Sequence, residues 1–274
     1  MNNDAQILPI DLGKREDGFN FNVDLARLPN LLIGGARGQG KTVMLNQIIT
    51  SLATKLTPDE ARFVLYDHSC VEFMAYSDLP HLLQPVINSP QKMVLELERL
   101  ETDVESRLST FAKARCRNLA DFNARKNRES DGLPKAVPYV VVVADDMTEL
   151  MFEYGDQASR AIRRLTSRAR AAGIHLVMSV RVMDQQVMRG FTLDSFPARI
   201  AFKTWSEADS VAIVGVDAAV ALSKPGDFIF REGVQKAISG RTEYDTFTKL
   251  EENLEKVKKT AKEKMKERIV RFWR

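Results

Sequence analysis

LLIGGARGQGKT, residues 31–42, is an apolar run that breaks into glycines and ends on a lysine and a threonine. From Gly35 to Thr42 it fits G-x-x-x-x-G-K-[ST], in the context that pattern requires: behind a strand and at the head of a helix. The spacing has a physical basis. Glycines let consecutive backbone N–H groups curl around a phosphate. The N-terminus of the following helix adds about half a positive charge at the same point. Lys41 is then placed to reach the β- and γ-phosphates of a nucleotide, and the Thr42 hydroxyl to ligate Mg²⁺. The predicted phosphate cradle is Gly35, Ala36, Arg37, Gly38, Gln39, Gly40, Lys41, Thr42 and Val43.

A phosphate loop of this kind needs an acid at the end of a neighbouring apolar strand, to hold the magnesium through water. YVVVVA at 139–144 is a β-branched run of the sort found in a central parallel strand covered on both faces. It leads directly into Asp145-Asp146. Asp145 is assigned to the magnesium side and Asp146 to orienting the attacking water. ATP and Mg²⁺ are the cofactors these two motifs predict.

The rest of the chain supplies an α/β frame. Residues 7–25 alternate in polarity around Asp17-Gly18 and read as a hairpin. A helix is expected from about Lys41 to Ala53, then a strand over Arg62–Tyr66. Leu97, Leu100, Val104, Leu108 and Phe111 recur at helical steps, so one helical stretch is predicted from Ser89 to Arg128. A further helix at 156–172 ends at Gly173, an expected C-cap. Strands are predicted near 174–180, 198–203 and 227–230. Strands alternating with helices imply a mostly parallel sheet flanked by helices. The expected division is an ATPase domain over 1–242 and a basic amphipathic helix over 243–274. In that tail Phe247, Leu250, Leu254, Val257, Ala261, Met265, Ile269 and Phe272 form one apolar stripe. The last 24 residues carry nine Lys/Arg against five Glu.

Bulk composition excludes little. The 274 residues are 44% hydrophobic and 28% charged with a formal net charge of +3, so composition alone does not call for nucleic acid. Two cysteines without metal-knuckle spacing, Cys70 and Cys116, read as plain thiols in a reducing compartment. His68, His81 and His175 are scattered, which argues against a histidine metal site. His175, beside a buried strand, is expected to be structural. No run approaches the ~20 apolar residues of a membrane helix, and a cytoplasmic location is expected.

From about residue 25 to 232 the chain resembles the motor domain of the FtsK/SpoIIIE-type DNA translocases, within the FtsK–HerA group of RecA-like ATPases. LPNLLIGGARGQGKT is similar to that family's phosphate loop. RFVLYDHSCVEFMAYSDLPHLL, with Asp67, Glu72, Tyr76 and Pro80 to Leu83, resembles its second strand and the segment after it. Arg117 to Ala120 with Asn123, YVVVVADDMTELM, RARAAGIHLV, Arg199 to Phe202, Asp209-Ser210 and Gly226-Asp227 add to the match. The resemblance implies a homo-oligomeric ring, a hexamer by analogy, with ATP between subunits and DNA in the pore. It also implies that Arg170 reaches the neighbouring subunit's ATP.

Departures from that pattern are specific. Asp146 stands where the family has glutamate. Val180-Arg181-Val182-Met183 replaces T-Q-R-P, which puts Arg181 in place of a γ-phosphate-sensing glutamine. Ser206 to Val211 replaces a basic segment, and with both departures the cations expected near the pore are absent at Val182, Glu207 and Val211. Arg181, Arg189 and Lys203 are the remaining candidates for DNA contact, with single-stranded DNA or a protein as other substrates. The chain shows no counterpart of the family's membrane region, of its upstream domain or of its DNA-reading winged helix. It is therefore expected to be a stand-alone motor of a mobile element, with a relaxase, capsid or secretion pore as partner. A slow ATP-binding adaptor for a secretion system is the alternative.

Overall fold

The valines of 139–144 explain how the chain is layered. In the computed structural model, β5 (Tyr139–Asp145) sends Val141 and Val143 into one apolar cluster and Val140, Val142 and Ala144 into another. Successive strand side chains point to opposite faces. A strand apolar at every position must therefore be covered on both sides. The structure describes residues 6–126, 136–181, 183, 188, 190–242 and 250–260.

Among the described residues, nine strands form one sheet. In chain order they are β1 (Pro9–Arg15), β2 (Asn20–Asp24), β3 (Asn30–Gly34), β4 (Ala61–Asp67), β5, β6 (Ile174–Val180), β7 (Ala198–Phe202), β8 (Asp227–Glu232) and β9 (Ile238–Arg241). The spatial order is β2-β1-β9-β8-β7-β3-β6-β5-β4. From β7 to β4 every neighbour is parallel. From β7 outward to β2 every neighbour is antiparallel. The expected hairpin is β1–β2, and it extends the main sheet through β9, a strand that the sequence reading did not identify.

Register places the functional edge. β3 pairs Gly34 with Val180 of β6, and β4 pairs Asp67 with Asp145 of β5. The parallel strands thus end level with one another. The residues that follow them, including Gly35, Asp146, Arg181 and Lys203, emerge on one side of the sheet. In open α/β sheets, ligands bind outside the carboxyl ends of the strands.

One face carries α1 (Lys41–Lys55), whose Met44, Leu45, Ile48, Ile49 and Leu52 are fully buried. The other carries α2 (Pro90–Lys113) and α4 (Thr148–Ala172), packed on each other. The single helix expected over 89–128 is corrected to two, α2 and α3 (Leu119–Lys126). Arg115 adopts φ 56° between them, the left-handed conformation that ends helices. Helix α4 starts eight residues earlier than predicted and carries a non-helical residue, Tyr154, which divides it. A kink of this kind interrupts the apolar spacing by which the first turns would be recognised. α5 (Glu207–Val214) is capped by Ser206, whose Oγ accepts from the Asp209 amide at 3.0 Å. Residues 250–260 are helical, and Leu250 and Leu254 join the α1-side cluster with Val257 against it. The remainder of the predicted tail stripe, like Arg189 and Val182, lies outside the described residues. No described helix is long and apolar enough to cross a membrane.

His175 is buried at the opposite end of β6 from the site edge. Its Nδ1 lies 2.8 Å from the Pro29 carbonyl, and its ring stacks on Tyr139. Burial lowers its pKa from 6.5 to about 4. The folded state therefore binds fewer protons than the unfolded state between those values, and stability rises with pH across that window. Lowering the pH from about 6.5 to 4 is expected to cost up to roughly 3 kcal/mol at this site. Urea melts of the wild type and of His175→Gln over that range provide the check. The variant should lose part of the acid dependence, and parallel curves would remove His175 from the account.

Candidate nucleotide site

The loop from Gly35 to Gly40 follows from backbone geometry. Gly35, Gly38 and Gly40 have φ of 138°, 75° and 118°, values that residues with a Cβ rarely adopt. The Ala36 amide is tied to the Lys203 carbonyl at 2.8 Å, and the Gly226 amide to the Gln39 carbonyl at 2.9 Å. The loop is thus stapled to the ends of β7 and β8. No side chain caps the first turn of α1, which also holds no acidic residue. Helix geometry leaves the first N–H groups without intrahelical partners, and here they meet a cavity of about 780 Å³.

Lys41 is buried, and its Nζ donates to the carbonyls of Gly35 and Ala36 at 2.7 and 2.9 Å. Burial lowers the pKa of its ammonium, against the opposing pull of Asp146 and Asp145; nearby Arg181 lowers it further. Thr42 Oγ1 donates to Asp145 Oδ2 at 2.9 Å, and Ser179 Oγ donates to Asp145 Oδ1 at 2.7 Å. Burial raises the Asp145 pKa, while those two hydrogen bonds lower it and Asp146 and Asp67 raise it again. The Thr42–Asp145 contact joins the two groups expected to serve magnesium. Among the described residues no group of three or more His, Cys, Asp or Glu forms a protein-only metal cage. That donor set suits Mg²⁺, which keeps waters and shares its coordination with substrate phosphates.

Asp146 is held differently from its neighbour. It sits at φ 47°, and its amide donates to Ser179 Oγ at 2.8 Å. Its Oδ1 accepts from the Thr148 hydroxyl at 2.5 Å and the Thr148 amide at 3.2 Å. Its Oδ2 forms an ion pair with Arg181 Nε. One carboxylate oxygen thus starts α4 and the other faces a guanidinium.

The structure brings together most of the sequence-predicted residues. Arg37, Gly38, Gly40, Lys41, Thr42, Val43, Asp145, Asp146 and Arg181 all line the cavity. Arg181, expected either as a DNA contact or at the sensor position, is thereby located in the same cavity as Lys41 and the two aspartates. Lys203 follows β7 behind the loop, half-buried. Arg170 is exposed in the last turn of α4, 22 residues beyond Thr148. At 1.5 Å per residue that is roughly 30 Å from the pocket end of the helix.

Sequence reading missed the role of Ser179. Its one signal was a hydroxyl in an otherwise apolar strand end, and only register aligns it with Asp145. The wall formed by Pro225, Gly226 and Thr242 was also missed, because it depends on β8 and β9 folding back beside the loop. Asp67 was noticed only through the family resemblance. Its carboxylate accepts from the amides of Ser69, Glu72 and Phe73 at 2.8–3.1 Å and so shapes the rim carrying Glu72.

This geometry is matched by relatedness. The FtsK/SpoIIIE family model aligns with residues 1–186. The DNA translocase FtsK of Lactococcus lactis subsp. cremoris is 37% identical over 232 residues, covering 84% of this chain and 31% of that protein. That of Staphylococcus aureus (strain COL) is 36% identical over 226 residues, covering 81% and 29%. The chain spans less than a third of the length of these relatives. Among solved structures, the cytoplasmic domain of the Thermomonospora curvata type VII secretion ATPase EccC shares the fold at a TM-score of 0.79 and 20% identity, over 93% of this chain and 32% of that one. The pCW3 conjugation coupling protein TcpA, solved with ATPγS, does so at 0.76 and 23%, over 92% and 71%. A phosphate loop and an acid pair on a parallel sheet edge, inside a family match covering most of the length, have one reading: the chain belongs to the FtsK/SpoIIIE family.

Proposed function

We propose that this protein hydrolyses ATP and uses the energy to move DNA through a homo-oligomeric ring. The observation that carries the ATPase reading is the convergence of Lys41, Thr42, Asp145 and Asp146 on the uncapped first turn of α1. Loop amides and Lys41 bind the β- and γ-phosphates. Thr42 and Asp145 would hold Mg²⁺, which neutralises phosphate charge when bound. Asp146, at the head of α4, orients the attacking water. Family membership supports DNA as the substrate. Arg170 supports the ring, because it is too far from its own pocket to act there and is exposed for a neighbour.

ATP turnover measured with and without double- and single-stranded DNA tests this function. Stimulation by either form is expected, and the preferred form identifies the substrate strand state. Turnover indifferent to both would remove DNA as the substrate and favour the adaptor reading. That alternative draws on the exposed Val211, which stands where the family's pattern is basic.

Asp146→Asn is expected to spare nucleotide binding and to slow hydrolysis by roughly 10²–10⁴-fold, the range for a residue that activates water. Single-turnover hydrolysis beside a binding titration separates the two effects. An unchanged hydrolysis rate would show that Asp146 serves only to start α4.

A further inference from the structure

Two arginines oppose each other on the sheet without an acid between them. Strand β7 runs antiparallel to β8, and the register sets Arg199 directly opposite Arg231. Two residues along the same strands, Ala201 opposes Ile229, and both are buried with Ile213 and Val214 of α5. Side chains alternate along a strand, so the arginines continue that row beyond the apolar cluster. Both are half-buried. They stand toward the start of β7, and neither lines the nucleotide cavity.

Part of their work is structural. Arg231 Nη1 donates to the Val214 and Gly215 carbonyls at 3.2 and 3.0 Å, where α5 ends. A cation is favourable at a helix C-terminus, and one arginine meets that need. Arg199 adds only a long contact, from Nη1 to the Ile213 carbonyl at 3.4 Å. The Nε of each arginine is buried and has no hydrogen-bond partner. No described hydrogen bond uses either Nη2. Among the described residues neither guanidinium is in an ion pair. Like charges directly opposite one another destabilise a sheet. The Arg199 pKa is lowered by burial first and by Arg231 second, against an opposing pull from Asp194.

An arginine offers its N–H groups as a planar fork that matches the oxygens of a phosphate. A carboxylate has two oxygens and one charge, enough for a single fork. A phosphate has more oxygens to share between two. We propose that Arg199 and Arg231 form a phosphate-binding site, each turning its Nε–Nη2 edge to the same phosphate group. Both side chains reach solvent in part, so a rotation at the guanidinium end presents that edge. The site shares no residue with the nucleotide cavity and does not depend on the ATPase reading. A DNA backbone and inorganic phosphate carry the same chemistry, and two arms of one experiment separate them.

The first arm follows the arginine Nε–H signals of ¹⁵N-labelled protein by NMR during titration with inorganic phosphate. Arg199→Gln and Arg231→Gln each identify one signal by removing it. This readout localises binding, so phosphate entering the nucleotide cavity does not confuse it. Both signals are expected to shift together and saturate. In Arg199→Gln the Arg231 signal should need about tenfold to a hundredfold more phosphate, the range for a lost charge-assisted contact. The second arm repeats the titration with duplex DNA and measures DNA affinity by anisotropy across a range of salt. A backbone phosphate at the site predicts that the two signals move with DNA and that Arg199→Gln lowers the salt slope by about one. Shifts with inorganic phosphate alone and an unchanged slope assign the site to free phosphate. If neither ligand moves the two signals to saturation, or if Arg231 responds at the same concentration in Arg199→Gln, the proposal is overturned. Should the Gln variants fail to fold, Arg199→Lys and Arg231→Lys take their place with the same expectation, because lysine keeps the charge and lacks the fork.

Discussion

Lys41→Ala is expected to eliminate ATP turnover and to weaken nucleotide binding. In the structure the ammonium is sequestered against the Gly35 and Ala36 carbonyls, a short reach from the loop it serves. The interior position strengthens its effect on a phosphate, since charges interact more strongly away from water. Loss of a single preorganised group that meets developing charge typically costs on the order of 10²–10³ in rate. In the proposed mechanism the same group also holds the ground-state γ-phosphate, so both binding and rate should fall. Phosphate release measured beside a nucleotide titration provides the check. A thermal melt excludes the trivial explanation, because the deletion leaves two loop carbonyls without their donor. Near-normal turnover in a folded Lys41→Ala protein would remove the basis of the ATPase reading.

Arg170→Ala carries the second large effect. The residue ends α4 at the edge of the sheet away from the pocket, roughly 30 Å from the helix start. It therefore has nothing to offer the nucleotide bound by its own chain. In a ring the variant is expected to bind ATP normally and to lose hydrolysis by about 10³–10⁵-fold, the range for an arginine supplied in trans. Mixing it with Lys41→Ala chains makes the expectation specific. A Lys41-containing pocket in one chain then meets Arg170 of a Lys41→Ala neighbour, and part of the activity should return. Full activity of Arg170→Ala by itself would place the trans arginine elsewhere or show that none is needed. The exposed Arg163, Arg164 and Arg168 on the same helix are the alternatives to examine in that event.

These predictions differ in where their support lies. Lys41, Thr42 and Asp145 are legible in the sequence as candidates, because phosphate chemistry demands particular side chains at particular spacings. The parallel core was legible too, since the valines of 139–144 admit no arrangement but a strand covered on both faces. Helix boundaries were less so. A left-handed residue at Arg115 and a kink at Tyr154 are backbone events that apolar spacing does not report.

By itself, then, the sequence pointed to the candidate phosphate loop and its acid, to the α/β class and to the family. Each of these rests on neighbours in the chain or on short local patterns. Tertiary structure alone decided that Ser179 bridges the two aspartates, that Gly226 and Thr242 wall the pocket, and that Arg181 lines the same cavity and pairs with Asp146. All three depend on strand order and register. Those bring residues more than a hundred positions apart, such as Thr42 and Asp145, into hydrogen-bonding distance, and no linear spacing encodes that encounter.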